Sequence, residues 1–172
     1  FMGAYRKYES KIKTPKGDLK TSLSSTPDQL DFIKRAHRLL HATREHQVIV
    51  LTGDRGRGKS AGVGMLISEL IASGEKVAVT GPQESAVEEI MRWATRESSS
   101  EGIRYSPADE LTPSSQGELL VVDEAAQLPI HLLRDWVQSS HWAGIIFSTT
   151  TDGYEGTGRG FALRFVPWLK QR

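Results

Sequence analysis

The run Val48-Ile49-Val50-Leu51-Thr52-Gly53-Asp54-Arg55-Gly56-Arg57-Gly58-Lys59-Ser60 constrains this chain more than any other stretch. An apolar β-type segment leads straight into the spacing G-x-x-x-x-G-K-S, and residues of helical periodicity follow at once. That order of strand, glycine loop and helix gives the spacing a mechanism. Glycines let the backbone curl until successive N–H groups point inward, forming a concave nest for anionic oxygens. The helix that starts near Lys59 adds its unpaired N–H groups and the positive end of its dipole. A glycine-rich turn with a chance lysine would not come framed in this way. Gly53, Asp54, Arg55, Gly56, Arg57 and Gly58 are therefore expected to cradle the phosphates of a nucleotide, with Lys59, Ser60, Ala61 and Gly62 opening the helix behind them. Lys59 is expected to reach the β- and γ-phosphates, and Ser60 to set its hydroxyl on Mg²⁺.

A second motif ends another apolar run. Glu118-Leu119-Leu120-Val121-Val122 leads into Asp123-Glu124-Ala125-Ala126, a buried strand with two acids at its tip. In an open α/β sheet that tip lies beside the phosphate loop. Asp123 is expected to hold Mg²⁺, and Glu124 to orient or deprotonate the attacking water. Two carboxylates that merely cap the next helix are the alternative, and the phosphate loop upstream disfavours it. Ala143 to Thr150 reads as a further buried strand ending in Ser148-Thr149-Thr150, where motor ATPases place a residue that senses the γ-phosphate. Beyond it runs Asp152-Gly153-Tyr154-Glu155-Gly156-Thr157-Gly158-Arg159-Gly160-Phe161. Arg159 is a candidate to place positive charge on the transferring phosphoryl group, as an arginine finger in cis. A flexible turn with a solvated arginine is the competing reading. Phe161 to Phe165 reads as a last strand, followed by Pro167.

These elements predict one RecA-like domain over residues 26–172, a mostly parallel α/β sheet with helices on both faces. A chain of 172 residues suits one such core and not two. The net charge of +1 is neutral about nucleic acid, so any such surface must be a local patch. With no cysteine, disulfides and thiolate metal sites are excluded. No apolar run has the length of a membrane span and no signal peptide is apparent, so a cytoplasmic protein without a membrane partner is expected. Neither Phe1 nor Gln171-Arg172 closes a pattern, and the chain reads as a piece of something longer. Residues 1–25 are polar and basic, with Pro15-Lys16-Gly17 breaking any helix. They read as a linker or N-terminal arm, and a basic arm that touches RNA phosphates is the sharper alternative.

Thr26-Pro27-Asp28-Gln29 opens a helix with Leu30, Ile33, His37 and Leu40 on one face. Gln29 has two competing jobs. It can reach back to the Thr26 N–H and complete a capping box. Alternatively, its amide can pair with the N6/N7 edge of adenine, and helicases of the RecD type place such a glutamine upstream of the phosphate loop. The resemblance favours the adenine role. His37 and His41 have helical zinc spacing but no third ligand, so packing or surface roles are expected. Val63, Leu66, Ile67, Leu70 and Ile71 mark a helix stopped by Gly74, and Lys76 to Thr80 the next strand. At the turn that follows, Thr80, Gln83 and Ser85 are candidates for gripping a nucleic-acid backbone, or for simple capping.

Three stretches taken together carry a family resemblance: Gly53 to Ser60, Val121 to Ala126, and Ser148-Thr149-Thr150 with Gly153 to Phe161. They resemble the ATPase, or RNA-helicase-like, module of the tRNA(Met) cytidine acetyltransferase family, over residues 26–165. The resemblance implies hydrolysis of ATP, or GTP, coupled to N4-acetylation of the wobble cytidine of elongator tRNA(Met). It also implies that acetyl-CoA is handled by an acetyltransferase domain following this module, which is absent here. The chain itself is then expected to hydrolyse ATP and to acetylate nothing. It shows one phosphate-loop sheet and no second lobe, so strand unwinding is not expected. Two rival readings are a RecD-like DNA helicase lobe and a nucleotide-gated RNA-binding module with little hydrolysis.

Overall fold

The computed structural model describes residues 5–9, 25–42, 46–54, 56, 58–96, 100–150 and 158–172. In chain order the elements are β1 (Tyr5–Glu9), α1 (Pro27–Ala42), β2 (Gln47–Gly53), α2 (Lys59–Ala72), β3 (Val77–Thr80), α3 (Glu84–Ala94), β4 (Ile103–Tyr105) and β5 (Glu118–Val122). A 3₁₀ turn (Ala125–Gln127), α4 (Ile130–Gln138), β6 (Trp142–Thr150), a π-helical turn (Phe161–Phe165) and α5 (Val166–Lys170) complete the described chain. The six strands form one sheet in the order β1-β2-β6-β5-β3-β4, and every pairing is parallel. Strands covered on both faces read as continuous apolar runs, which is why β2, β3, β5 and β6 stand out in the sequence. Val77 to Thr80 and Glu118 to Val122 are buried throughout.

Side chains alternate across a strand, and here they feed two separate cores. On one face Ile49, Leu51, Val77, Val79, Val121 and Ile146 pack beneath residues of α1, α2 and α3. On the other Val50, Ala78, Leu120, Val122, Ile145 and Phe147 pack beneath α4 and the C-terminal helical segment. Leu66, Ile67 and Leu70 of α2 are wholly inaccessible, each contributing roughly 1.5–3 kcal/mol of burial. The molecule is a RecA-like α/β sandwich with helices on both faces.

Two elements differ from the sequence expectation. Tyr5–Glu9, inside the stretch expected to be a linker or arm, pairs in register with residues 48–52 of β2 as an edge strand. An edge strand needs one backbone partner and no apolar face, so its polar composition gives no sign of it. Phe161–Phe165, expected to be a strand, is helical. Phe161 and Phe165 are both buried, while Leu163 between them is 62% exposed. A strand would put all three on one face. The two rings instead meet Phe147 of β6 edge-on, at centroid distances of 6.5 and 5.1 Å. Pro167, which cannot donate and crowds the carbonyl four residues back, follows the widened turn.

Two further details shape the sheet. The β5–β6 ladder shifts register at its start: Glu118 faces Trp142, but Leu119 faces Gly144, leaving Ala143 as an extra residue in β6. The connection from β4 to β5 carries no helix; Leu111 plugs it into the core instead. Arg104 of β4 ties its ends, donating to both carboxylate oxygens of Glu118 at 2.8 and 2.9 Å and to the Thr112 carbonyl at 2.6 Å. Ser114 adds its N–H and hydroxyl to the same carboxylate. Burial opposes ionisation of Glu118, but the bonds from Arg104 and Ser114 and the charge of Arg104 outweigh it and lower its pKa.

Candidate nucleotide site

The sheet order brings the two acidic and glycine motifs to one edge. β6 lies between β2 and β5, so the C-terminal tips of all three strands are neighbours. Gly53 closes β2, and the chain turns through Gly56 (φ 75°) and Gly58 (φ 68°, ψ 27°) into α2. Both angles lie in the left-handed region that a side chain resists. Gly58 is the residue before α2, and its carbonyl accepts the first helical bond, from Gly62 at 2.9 Å. Lys59 folds back along the loop, its ammonium donating 2.8 Å bonds to the carbonyls of Gly53 and Asp54. Ala61 and Gly62 are buried in the first turn of α2. Arg55 and Arg57 lie outside the described residues.

Asp123 projects from the end of β5 toward α2, and the Ser60 hydroxyl donates to its Oδ2 across 3.4 Å. Asp123 is 4% exposed. Burial raises its pKa; the Ser148 hydroxyl, the Glu124 N–H and the charge of Lys59 oppose that shift, while the charge of Glu124 adds to it. Such a carboxylate gains from a cation beside it. Ser60 and Asp123 together are a hydroxyl and a carboxylate oxygen, a donor pair suited to Mg²⁺ when phosphates and water supply the rest. Among the described residues no group of three or more His, Asp or Glu could hold a metal by itself. His37 and His41 have their rings 4.3 Å apart on α1 and belong to no such group.

Glu124 takes φ 47° and ψ 39°, the only left-handed non-glycine among the described residues. The 3₁₀ turn after it brings Gln127 alongside: the Gln127 N–H bonds the Glu124 carbonyl at 2.9 Å, and its amide donates to Glu124 Oε2 at 3.5 Å. Gln127 was not singled out by the sequence reading. Its spacing three residues beyond the acidic pair was the available signal. Three fully buried hydroxyls at the strand tips, Thr80, Ser148 and Thr149, have no partner meeting hydrogen-bond geometry, although Ser148 lies near enough to Asp123 to ease its charge.

The remaining candidates fall as follows. Gln29 makes the capping box: its Oε1 accepts from the Thr26 N–H at 2.8 Å, and its own N–H reaches the Thr26 hydroxyl at 3.3 Å. Its Nε2 also donates to the Gly58 carbonyl at 2.9 Å. Gln83 and Ser85 are exposed at the start of α3, with no side-chain cap bond there. Arg159 is exposed at the start of the C-terminal helical segment. The glycine-rich stretch 151–157 before it lies outside the described residues. No helix among the described residues is long and apolar enough to cross a membrane.

Residues 50–172 match the family model described as RNA cytidine acetyltransferase NAT10/TcmA, helicase domain. The chain belongs to this family. A tRNA(Met) cytidine acetyltransferase TmcA of Nitrosococcus halophilus is 40% identical over 165 residues, covering 88% of this chain and 22% of that protein. Its counterpart in Vibrio cholerae is 40% identical over 136 residues, covering 71% of this chain and 19% of the relative. That of Thermofilum pendens is 37% identical over 179 residues, covering 87% of this chain and 22% of the relative. The chain thus spans about a fifth of the length of these curated relatives. The helicase-domain match contains both the glycine loop and the acidic strand tip.

Proposed function

We propose that this chain is the nucleotide-hydrolysing module of a tRNA-modifying enzyme. It binds ATP, or GTP, with Mg²⁺ and hydrolyses it. It thereby assists N4-acetylation of the wobble cytidine of elongator tRNA(Met) by an acetyltransferase domain elsewhere in the parent protein, where acetyl-CoA binds. Residues 26–172 are the module, with Tyr5–Glu9 paired along its β2 edge. The observation that carries the reading is the approach of Ser60 to Asp123 between the glycine loop and the acidic strand tip.

The roles follow from the chemistry of each group. The amides of the Gly53–Gly58 loop and the N-terminus of α2 hold phosphate oxygens. The Lys59 ammonium exchanges the carbonyls of Gly53 and Asp54 for the β- and γ-phosphates. Ser60 and Asp123 hold Mg²⁺, which supplies neutralisation of the charge spread over those oxygens. Glu124, with Gln127 against its carboxylate, positions the attacking water. Arg159 adds positive charge from the segment beyond β6.

Equilibrium nucleotide binding and single-turnover hydrolysis, measured side by side, test this. Lys59→Ala is expected to weaken binding about ten- to a hundredfold. Glu124→Gln is expected to keep binding while hydrolysis falls about 10²–10⁴-fold. Equal hydrolysis by Glu124→Gln and wild type would remove Glu124 from the activation of water. Tight binding by wild type with negligible single-turnover hydrolysis would point to a nucleotide-gated RNA grip. Turnover stimulated by DNA and not by RNA would point to a DNA helicase lobe.

A further inference from the structure

We propose that the half-buried Trp168 and the two arginines stacked on it, Arg134 and Arg172, form a surface that docks RNA phosphates. The proposal rests on the tRNA part of the reading above and adds the place where this module touches its RNA. Three elements converge on one indole. Trp168 of α5 lies at 25° to the ring of Phe165, with a centroid distance of 5.8 Å, and Phe165 is wholly buried. The indole is thereby pinned to the core on the α4 side of the sheet. Arg134 of α4 sets its guanidinium carbon 5.1 Å from the centre of the indole, and Arg172, just beyond α5, sets its own at 4.9 Å. Both distances are those of a cation–π contact.

A guanidinium held by its face keeps its in-plane N–H groups for another partner. Among the described residues the fold supplies none. Arg134 Nε is buried without a hydrogen-bond partner, and neither arginine makes an ion pair there. The surroundings are of one sign. α4 and residues 158–172 together carry Arg134, Arg159, Arg164, Lys170 and Arg172 against the single acid Asp135. Arg164, one turn before Trp168, is exposed, as are Lys170 and Arg172. With a net charge of only +1 over the whole chain, this is a local excess. Planar forks take a phosphate through two parallel hydrogen bonds. An aromatic platform that fixes two of them in advance reduces the freedom lost on binding. An acidic protein segment would also answer these forks. RNA is favoured because a polyanion with a charge on every residue is the substrate of the proposed enzyme.

The test is binding of unmodified elongator tRNA(Met) transcript by the full-length parent protein over a series of salt concentrations. Arg134→Ala and Arg172→Ala are each expected to weaken binding about tenfold and to lower the salt slope by about one. Arg172→Lys keeps the charge but not the planar fork, so it should keep the slope and lose affinity. Trp168→Leu removes the platform, leaves both charges and should do the same; if it does not fold, Arg172→Lys carries that arm alone. Lys76→Ala, exposed at the end of β3 away from the nucleotide site, should bind as wild type does. Unchanged affinity and slope in the Arg134→Ala/Arg172→Ala double variant would overturn the proposal and leave this face to contact with protein. Wild-type affinity in Arg172→Lys would overturn the platform and reduce the surface to loose charge. Losses in Lys76→Ala equal to those in Arg172→Ala would overturn it by spreading the contacts over the whole molecule. A parent that binds tRNA with the expected losses but binds no nucleotide keeps this inference and removes the nucleotide reading. One that binds nucleotide but no tRNA overturns this inference, and the tRNA part of the function with it, while the nucleotide site stands.

Discussion

At Glu124 the backbone and the chemistry pull in different directions. A left-handed φ costs a side-chain-bearing residue about 1–2 kcal/mol, and Glu124 holds it at φ 47°. Strain of this kind persists where surrounding structure over-determines it. Here the 3₁₀ turn and the buried Ala125 and Ala126 do so. Glu124→Gly should therefore raise stability by about 1 kcal/mol, read as a higher denaturant midpoint, while hydrolysis is lost. A variant that is less stable than wild type would show that the carboxylate, and not the backbone, dominates the local energy. At this scale the sequence was most informative: the spacing of Ser60 and of the acidic pair anticipated that Ser60 and Asp123 lie side by side. It could not reveal how Glu124 is turned, because φ at a turn depends on what packs around it. Nor could the residues by themselves choose between the two jobs of Gln29, since either uses the same amide, and only the resemblance favoured adenine.

Helix α2 illustrates what an element adds beyond its residues. Its apolar positions predict a helix with one buried face, yet Ala61, Gly62, Val63, Gly64, Leu66, Ile67 and Leu70 are all buried. Gly64 is the reason α3 can come so close. A Cβ there would lie 2.5 Å from Trp93 Cβ and 2.7 Å from the Ile90 carbonyl. Alanine favours a helix interior by about 1 kcal/mol over glycine, but overpacking a rigid contact costs about 1–3 kcal/mol. Gly64→Ala is thus expected to lower stability on balance, read as a lower denaturant midpoint with an unchanged slope. A rise would mean that α3 shifts freely. Elements that bury both faces were legible in the sequence as apolar runs. β1 was not, because its ladder is made by backbone atoms. The π-helical turn was not, because Phe161 and Phe165 choose their geometry by meeting Phe147.

The whole molecule depends on a crossing that has no helix to hold it. The link from β4 to β5 is fastened by Arg104, Ser114 and Glu118, and the Glu118 side chain is 2% exposed. Glu118 has a lower pKa folded than unfolded. Its stabilisation is therefore complete above the unfolded glutamate value of about 4.3 and is lost as pH falls through the lowered folded value. Glu118→Gln should reduce the acid-side slope of stability against pH, in a window below about pH 4, as followed by thermal melting. An unchanged slope would place acid sensitivity elsewhere. This pairing was hidden from the sequence, since Arg104 and Glu118 come together only across β3.

The extra residue in β6 bears on everything beyond it. Trp142 before it, and Ile145 and Phe147 after it, all enter the same core. A strand of unbroken alternation would set Trp142 and Ile145 on opposite sides. The exposed Ala143 changes the parity of the strand, so that Trp142 can be sheltered while Ser148 still looks toward Asp123. Were Ala143 deleted, the protein would have to give up one or the other: an indole turned out into water, or a hydroxyl facing the wrong side of the sheet.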